Sequence, residues 1–135
     1  MSAPAVLLDT DVASAEFKRK SLPILARVSS AYRPVICFVT FGEMTKWAEL
    51  RSWAPHNRTR LNQWLTLMPT IHSSDSIART WGELSAAAVQ RGRPRPQNDM
   101  WIAAVCLTHG IPLATLNLKD FEDFESHHGL RIIRA

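Results

Sequence analysis

The chain has 135 residues and a formal net charge of +4, with 46% hydrophobic and 21% charged residues. This composition excludes long disorder and suits one globular domain over residues 1–135. No apolar run approaches the roughly 20 residues that span a bilayer, and residues 1–4 lack the charged and apolar parts of a signal peptide. The basic charge permits a nucleic-acid partner without requiring one.

Short apolar runs alternate with longer helical patterns along the first half of the chain. A run that is apolar on both faces predicts a buried strand, and apolar residues at i, i+3, i+4 and i+7 predict a helix. In chain order we predict a strand at 5–8, a weak helix at 13–17, a helix at 23–30, a strand at 35–39, and helices at 41–53 and 56–67. Prolines mark several of these borders.

The second half continues the alternation. We predict an edge strand at 69–71, a helix from 74 or 75 to about 91, a basic loop at 93–96, a helix at 97–109, a strand at 112–115, a short helix at 118–124 and a strand at 130–133. Glycines after the helices at 91 and 109 suit the left-handed position that ends a helix. The alternation predicts an α/β domain with a mostly parallel sheet.

Both cysteines, Cys37 and Cys106, lie inside apolar runs. They fit buried, reduced thiols better than a disulfide framework or a metal site. Because reduced thiols are typical of the cytoplasm, we expect the protein to be located there.

Acidic residues follow three of the predicted strands. Asp9 ends the first strand, Glu43 follows the second, and Asp120 follows the strand at 112–115. The carboxyl ends of parallel strands open on one side of such a sheet, where ligands bind. Asp99 lies in the first turn of the helix that leads into that late strand, so it starts on the same side. We therefore expect all four carboxylates to share one pocket.

Four carboxylates in one pocket repel each other unless a cation neutralises them. Carboxylate oxygens suit Mg²⁺ or Mn²⁺, and such ions promote the hydrolysis of phosphodiesters. Each acid also has an ordinary interpretation: Asp9 and Asp120 as turn residues, Glu43 as solvated helix surface, and Asp99 as an acid that favours a helix N-terminus. Their joint placement is what favours the metal site.

Four segments carry a resemblance to a known family. They are Leu-Leu-Asp-Thr-Asp-Val at 7–12, Thr-Phe-Gly-Glu-Met at 40–44, Asn-Asp-Met-Trp-Ile-Ala-Ala at 98–104 and Leu-Ala-Thr-Leu-Asn-Leu-Lys-Asp-Phe at 113–121. In this order they resemble the PIN-domain ribonucleases, most closely the VapC-type toxins of bacterial toxin–antitoxin systems. The resemblance implies four or five mostly parallel strands flanked by helices, and Mg²⁺- or Mn²⁺-dependent endonucleolytic cleavage of transfer or ribosomal RNA.

The resemblance also assigns roles to the acidic residues by position. Asp9, Glu43 and Asp99 resemble the family's acidic triad, and Asp120 resembles its fourth acid. Asp9 and Asp99 are expected to contact the metal directly, while Glu43 orients a metal-bound water or holds a second ion.

Hydrogen-bonding residues are expected to complete the site. Thr115 and Asn117 would orient the acidic side chains. Asp11 departs from the family, which often has asparagine there, and Asn117 stands where some members place an acid. These departures leave open whether one or two ions bind.

A basic loop precedes Asp99. Its arginines, Arg91, Arg93 and Arg95, would bind RNA phosphates if they faced the acidic site. An equally supported interpretation is a solvated basic loop without a specific role.

The five tryptophans have two interpretations. Trp81 and Trp101 fit the packing faces of their helices. Trp47, Trp53 and Trp64 fall on two successive helices that, in the resembled family, form a clip for an antitoxin segment near a homodimer interface. We therefore expect a small antitoxin and a second copy of the chain as partners, with aromatic anchors at the interface. Burial of these three residues in the core is an equal alternative.

Two other functions stay open at this point. Asp9 and Asp11 match the nucleophile and acid of haloacid-dehalogenase-like phosphatases, in which Asp9 would attack phosphorus. The later motifs of that class are missing from the sequence. The non-enzymatic alternative is a PIN-like module that binds RNA or a partner without cutting, and the presence of all four acids argues against it.

Overall fold

A five-stranded parallel sheet forms the centre of the molecule, in the order β3-β2-β1-β4-β5. The structure, a computed structural model, describes residues 3–134, so Met1 and Ser2 of the N-terminal segment lie outside it. The strands are β1 (Ala5–Leu8), β2 (Arg33–Cys37), β3 (Thr70–Ile71), β4 (Leu113–Ala114) and β5 (Ile132–Ile133). The predicted α/β class, parallel sheet and edge position of β3 are confirmed.

Seven helices connect the strands within residues 3–134. They are α1 (Thr10–Phe17), α2 (Pro23–Ala31), α3 (Phe38–Leu50), α4 (Pro55–Leu67), α5 (Asp75–Gln90), α6 (Gln97–His109) and α7 (Leu118–His128). Proline occupies the first turn of α2 and of α4, and the Ser74 side chain caps α5 by accepting from the backbone N–H of Ile77. Gly110 ends α6 with φ +64°, a left-handed conformation that glycine adopts without strain.

The sheet separates two apolar cores. On one face Leu7 packs with residues of α5, α6 and α7, and on the other Val6 and Leu8 pack with residues of α1 to α4. Side chains alternate between the faces of a strand, so a central strand covered on both sides is apolar at every position. This double burial explains why β1 is a continuous apolar run.

Several borders of the helices and strands differ from those predicted. The strand predicted at 35–39 ends at Cys37, and Phe38 already begins α3. Val39 and Thr40 are buried on the helix, so burial alone does not distinguish the two structures. Helix α3 ends at Leu50, whereas the prediction extended it to 53. Helix α7 continues four residues beyond its predicted end at 124.

Four of the five tryptophans pack against the two cores, and Trp47 instead lies under the Arg51 guanidinium, 5.5 Å from its ring centroid. Trp81 and Trp101 pack against the α5–α7 core, as predicted. Trp53 stacks on the buried ring of Phe17, with 6.0 Å between ring centroids, and Trp64 meets the same ring edge-on at 5.8 Å. Trp53 and Trp64 keep part of their surface exposed, so they belong to the core and also reach the surface.

No helix within residues 3–134 has both the length and the apolar character that crossing a bilayer requires.

Candidate active site

Asp9 stands at the centre of the candidate site because it directly follows the central strand β1. Its Oδ1 accepts a hydrogen bond from the backbone N–H of Thr10 at 2.8 Å, which caps α1. Its Oδ2 accepts one from the Thr115 hydroxyl at 2.7 Å, directly after β4. The sheet therefore joins two residues that are 106 positions apart in the sequence.

The Asp9 carboxylate is buried, with 6% of its surface exposed. Burial is the largest cause that raises its pKa, from 3.8 to about 7, and the nearby charges of Asp11 and Asp99 add to it. The hydrogen bonds from Thr115 and Thr10 act in the opposite direction because they stabilise the charged form. The two hydrogen bonds hold the buried carboxylate in one position and favour its charged form, which is the form that binds a cation.

Glu43 reaches the site from the second turn of α3. The Thr10 hydroxyl donates to Glu43 Oε1 at 2.7 Å and lies 3.0 Å from the Thr40 hydroxyl. Thr10 and Thr40 are both buried, and they fix the Glu43 carboxylate against the start of α1. Neither threonine was predicted as a site residue, although Thr10 lies within the motif at 7–12 and Thr40 within the motif at 40–44.

Asp99 and Asp120 enter the site from the first turns of α6 and α7. Burial is the main cause that raises the pKa of Asp99, from 3.8 to about 6, and the charges of Asp120 and Glu43 raise it further. Arg95 acts in the opposite direction. Asp120 and Glu43 therefore lie near enough to Asp99 for their charges to affect its pKa.

Asp11, in the first turn of α1, links that helix to the segment that follows β4. Its Oδ2 accepts from the backbone N–H of Leu116 at 3.2 Å, and its Oδ1 accepts from the N–H of Val12 at 2.7 Å. Thr115 accepts from the backbone N–H of Asn117 at 3.0 Å. Asn117 therefore joins this network through its backbone N–H. The residue is exposed, and its side chain makes no hydrogen bond that caps α7.

The three arginines that precede Asp99 all lie near side chains of α7, but they differ in how much of each is exposed. Arg91 Nη1 lies 3.3 Å from His128 Nε2, and both Arg93 Nε and Arg95 Nη1 lie near Asp123 Oδ2, at 3.4 and 3.9 Å. The Arg93 side chain is 63% exposed, whereas that of Arg95 is 16% exposed. Of these three arginines, only Arg93 has a largely exposed side chain.

The donor chemistry of the site fits a hard divalent cation. Its four acids offer only oxygen ligands, and two of them, Asp9 and Asp99, hold raised pKa values through burial and mutual repulsion. Among residues 3–134, no three His, Cys, Asp or Glu side chains lie close enough to ligate one ion together. The arrangement fits an ion such as Mg²⁺, which binds through one or two carboxylates and keeps several waters.

Comparison with known proteins gives one consistent family. A family model described as PIN domain matches residues 6–125. Ribonuclease VapC1 of Haemophilus influenzae strain R2866 is 29% identical over 120 residues, covering 86% of this chain and 89% of the relative. Ribonuclease VapC2 of Haemophilus influenzae strain Rd is 26% identical over 117 residues, with the same coverage.

Solved structures match over nearly the whole chain. DNA-bound VapBC from Salmonella typhimurium superposes with a TM-score of 0.80 at 26% identity, covering 98% of both chains. VapBC-1 from nontypeable Haemophilus influenzae gives 0.79 at 26% identity, covering 96% of both. At this identity and coverage the similarity extends beyond the topology of the sheet to the sequence itself.

Proposed function

This chain belongs to the PIN-domain family, and from that membership we propose that it is an endoribonuclease that cleaves RNA phosphodiester bonds at the acidic site around Asp9. Its relatives of matching length carry the name ribonuclease VapC. The observation that carries the proposal is Asp9, which is buried at the carboxyl end of the central strand with Asp99 near enough to raise its pKa, while Asp120 and Glu43 in turn raise the pKa of Asp99.

We propose Mg²⁺ or Mn²⁺ as the cofactor. Asp9 and Asp99 would bind the ion directly, and Glu43 and Asp120 would act on it through water. When bound, the ion lowers the pKa of water and neutralises charge on the phosphate. Thr115 and Thr10 hold the Asp9 carboxylate in place, and Thr10 also holds Glu43. Positioned charge of this kind supplies much of the catalytic effect in such sites.

The two alternative functions have less support. A phosphatase mechanism requires Asp11 to deliver a proton, but both oxygens of Asp11 accept hydrogen bonds from backbone N–H groups. A non-catalytic module would have no need for a buried Asp9 whose pKa is raised to about 7. Membership of the PIN family over residues 6–125 also favours the nuclease.

We further propose that the chain is the toxin of a toxin–antitoxin pair and acts in the cytoplasm. The solved relatives are VapBC complexes, and both cysteines are buried and unpaired, as a reducing compartment allows. The antitoxin would bind the α3–α4 pair, where Trp53 and Trp64 reach the surface, and a second copy of the chain would complete the assembly. Hydrogen–deuterium exchange tests this, since unchanged exchange at 43–67 on adding the antitoxin would contradict the clip.

Inducible expression tests the nuclease directly. Wild type and Asp9→Asn are expressed in parallel, and new RNA 5′ ends are mapped by sequencing. Wild type is expected to stop growth and create defined 5′ ends in transfer or ribosomal RNA, whereas the variant is expected to do neither. Equal toxicity of both proteins, at equal expression, would contradict the catalytic role of Asp9.

A further inference from the structure

A pocket of about 350 Å³ opens beside Glu43. Its walls come from two helices that pack against each other, α3 and α6. The residues that matter here are Phe38, Gly42, Glu43, Lys46, Asn98 and Trp101. Because Glu43 belongs both to this pocket and to the acidic site, whatever occupies the pocket lies next to the reacting group.

The helical repeat explains how these residues come to face one space. Phe38, Gly42 and Lys46 are four residues apart along α3, and Asn98 and Trp101 are three apart along α6. Residues at these spacings share one face of a helix. A Cβ added at Gly42 would meet no atom within 4 Å, so the missing side chain leaves the space open.

The aromatic wall of the pocket is held rigidly. Trp101 stacks on Trp81 with 4.9 Å between ring centroids and 15° between planes, and Phe38 meets Trp101 edge-on at 5.9 Å. Rigid aromatic surfaces are what proteins use to stack the bases of single-stranded RNA.

The polar groups of the pocket complement a nucleotide. Lys46 is exposed and forms no ion pair within residues 3–134, so its ammonium group is free for a phosphate. The exposed Asn98 amide offers both a donor and an acceptor to a base edge. The volume lies in the usual range for ligand pockets, roughly 300–1,000 Å³.

We propose that this pocket is a nucleobase subsite, which holds the base next to the cleaved phosphodiester of single-stranded RNA and thereby selects the cut sequence. The inference rests on the proposed ribonuclease activity. Trp101 and Phe38 provide the apolar surface, Asn98 reads the base edge, and Lys46 neutralises the adjoining phosphate. A nucleotide is favoured over a protein segment because the stacked Trp81–Trp101 pair offers a rigid aromatic surface for a base, and the Lys46 ammonium group suits a phosphate.

A matched pair of glycine substitutions tests the subsite. Gly42→Leu fills the pocket, whereas Gly82→Leu makes the same change within α5, where an added Cβ also meets no atom within 4 Å. Both replace a helical glycine, so neither is expected to lower the thermal unfolding midpoint. The probes are fluorescein-labelled single-stranded oligoribonucleotides that differ only in the nucleotide beside the mapped cut.

For wild type, kcat/KM is expected to be highest for the oligoribonucleotide that carries one particular base at that position. Gly42→Leu should lower kcat/KM for the preferred oligoribonucleotide by roughly 5- to 150-fold, the range of base-stacking losses, and so reduce the preference, whereas Gly82→Leu should keep it. Equal preferences in all three proteins would overturn the subsite and leave the nuclease intact. Unchanged RNA kinetics together with loss of the co-purified antitoxin from Gly42→Leu would overturn it in favour of protein docking.

A binding measurement separates this inference from the proposed function. The same oligoribonucleotides are titrated by anisotropy into Asp9→Asn with and without Gly42→Leu. Weaker binding only in the double variant would support the subsite even if wild type cut no RNA. In wild type, Lys46→Gln should flatten log KM against log salt by about 0.7, the value of one single-strand phosphate contact. An equal change in Lys20→Gln, a substitution outside the pocket, would contradict the role of Lys46.

Discussion

The two halves of the acidic site are built differently. Asp9 and Glu43 are fixed by hydrogen bonds, from Thr10 to both of them and from Thr115 to Asp9. Within residues 3–134, the Asp99 carboxylate has no such donor and depends on its place in the first turn of α6. One half is therefore ordered by the protein alone, and the other is left for a cation or substrate to order.

The difference has an electrostatic meaning. Hydrogen bonds stabilise the charged form of a carboxylate, so the burial that raises the pKa of Asp9 is partly offset by Thr115 and Thr10. At Asp99 the only opposing influence is the charge of Arg95. If the proposed ion binds here, a preformed half paired with an adjustable half would let it bind without first breaking the hydrogen bonds of Asp9 and Glu43.

The largest expected effect comes from removing one charge in each half. Asp9→Asn and Asp99→Asn should each lower RNA cleavage by at least about 100-fold, because each removes charge stabilisation at the reacting centre. Calorimetric titration should show weaker Mn²⁺ binding in both variants. Asp75→Asn, an exposed acid at the start of α5, is the control and should keep activity. Full activity of Asp99→Asn would show that cleavage does not need the Asp99 carboxylate.

The buried Asp9 should also make stability depend on pH. Its folded pKa of about 7 exceeds the ordinary value of 3.8, so between these values the folded protein keeps a proton that the unfolded chain loses. The free energy of unfolding should therefore fall as pH rises from about 4 to 7, by a few kcal/mol in all. Urea unfolding in EDTA checks this. Asp9→Asn should flatten the slope, most clearly between about pH 6 and 7, above the raised pKa of Asp99. An identical slope in both proteins would contradict the assignment.

The Thr10 hydroxyl tests the preformed half without removing a charge. Thr10→Val abolishes the hydrogen bonds to Glu43 and Thr40 and should cost about 1–2 kcal/mol of stability. It should also lower kcat roughly tenfold through loss of Glu43 positioning. Thr45→Val is the control, since its exposed hydroxyl bonds only to a backbone carbonyl of the same helix. Equal kinetics in the two variants would show that Glu43 needs no support.

The smallest expected effect lies in the basic loop beside the adjustable half. Arg93→Gln removes an exposed ion pair with Asp123, so stability should change by less than about 1 kcal/mol. KM for RNA should rise at low salt and match wild type at high salt, because exposed charges are screened. Arg79→Gln, on the exposed face of α5, should change neither value. A salt-independent defect in Arg93→Gln would indicate a structural role instead.

Much of the fold was predictable because local patterns decide it. The doubly apolar run of β1 predicts a central parallel strand, and the prolines that open α2 and α4 fix where those helices begin. The border between β2 and α3 was not predictable, since Phe38 and Val39 are apolar and packed inward in either conformation. The residue types at these two positions fit a buried strand and a buried helix equally well, so only the surrounding structure decides between them.

The amino-acid sequence by itself determined where Asp9 lies, because this residue follows a strand that can lie only inside the sheet. Only the tertiary structure decided how Asp9 and Glu43 are held. The contacts of Thr10 with Thr40 and of Thr115 with Asp9 join residues 30 and 106 positions apart. Such distances are set by the packing of α1 against α3 and by the pairing of β1 with β4, and no local periodicity encodes them.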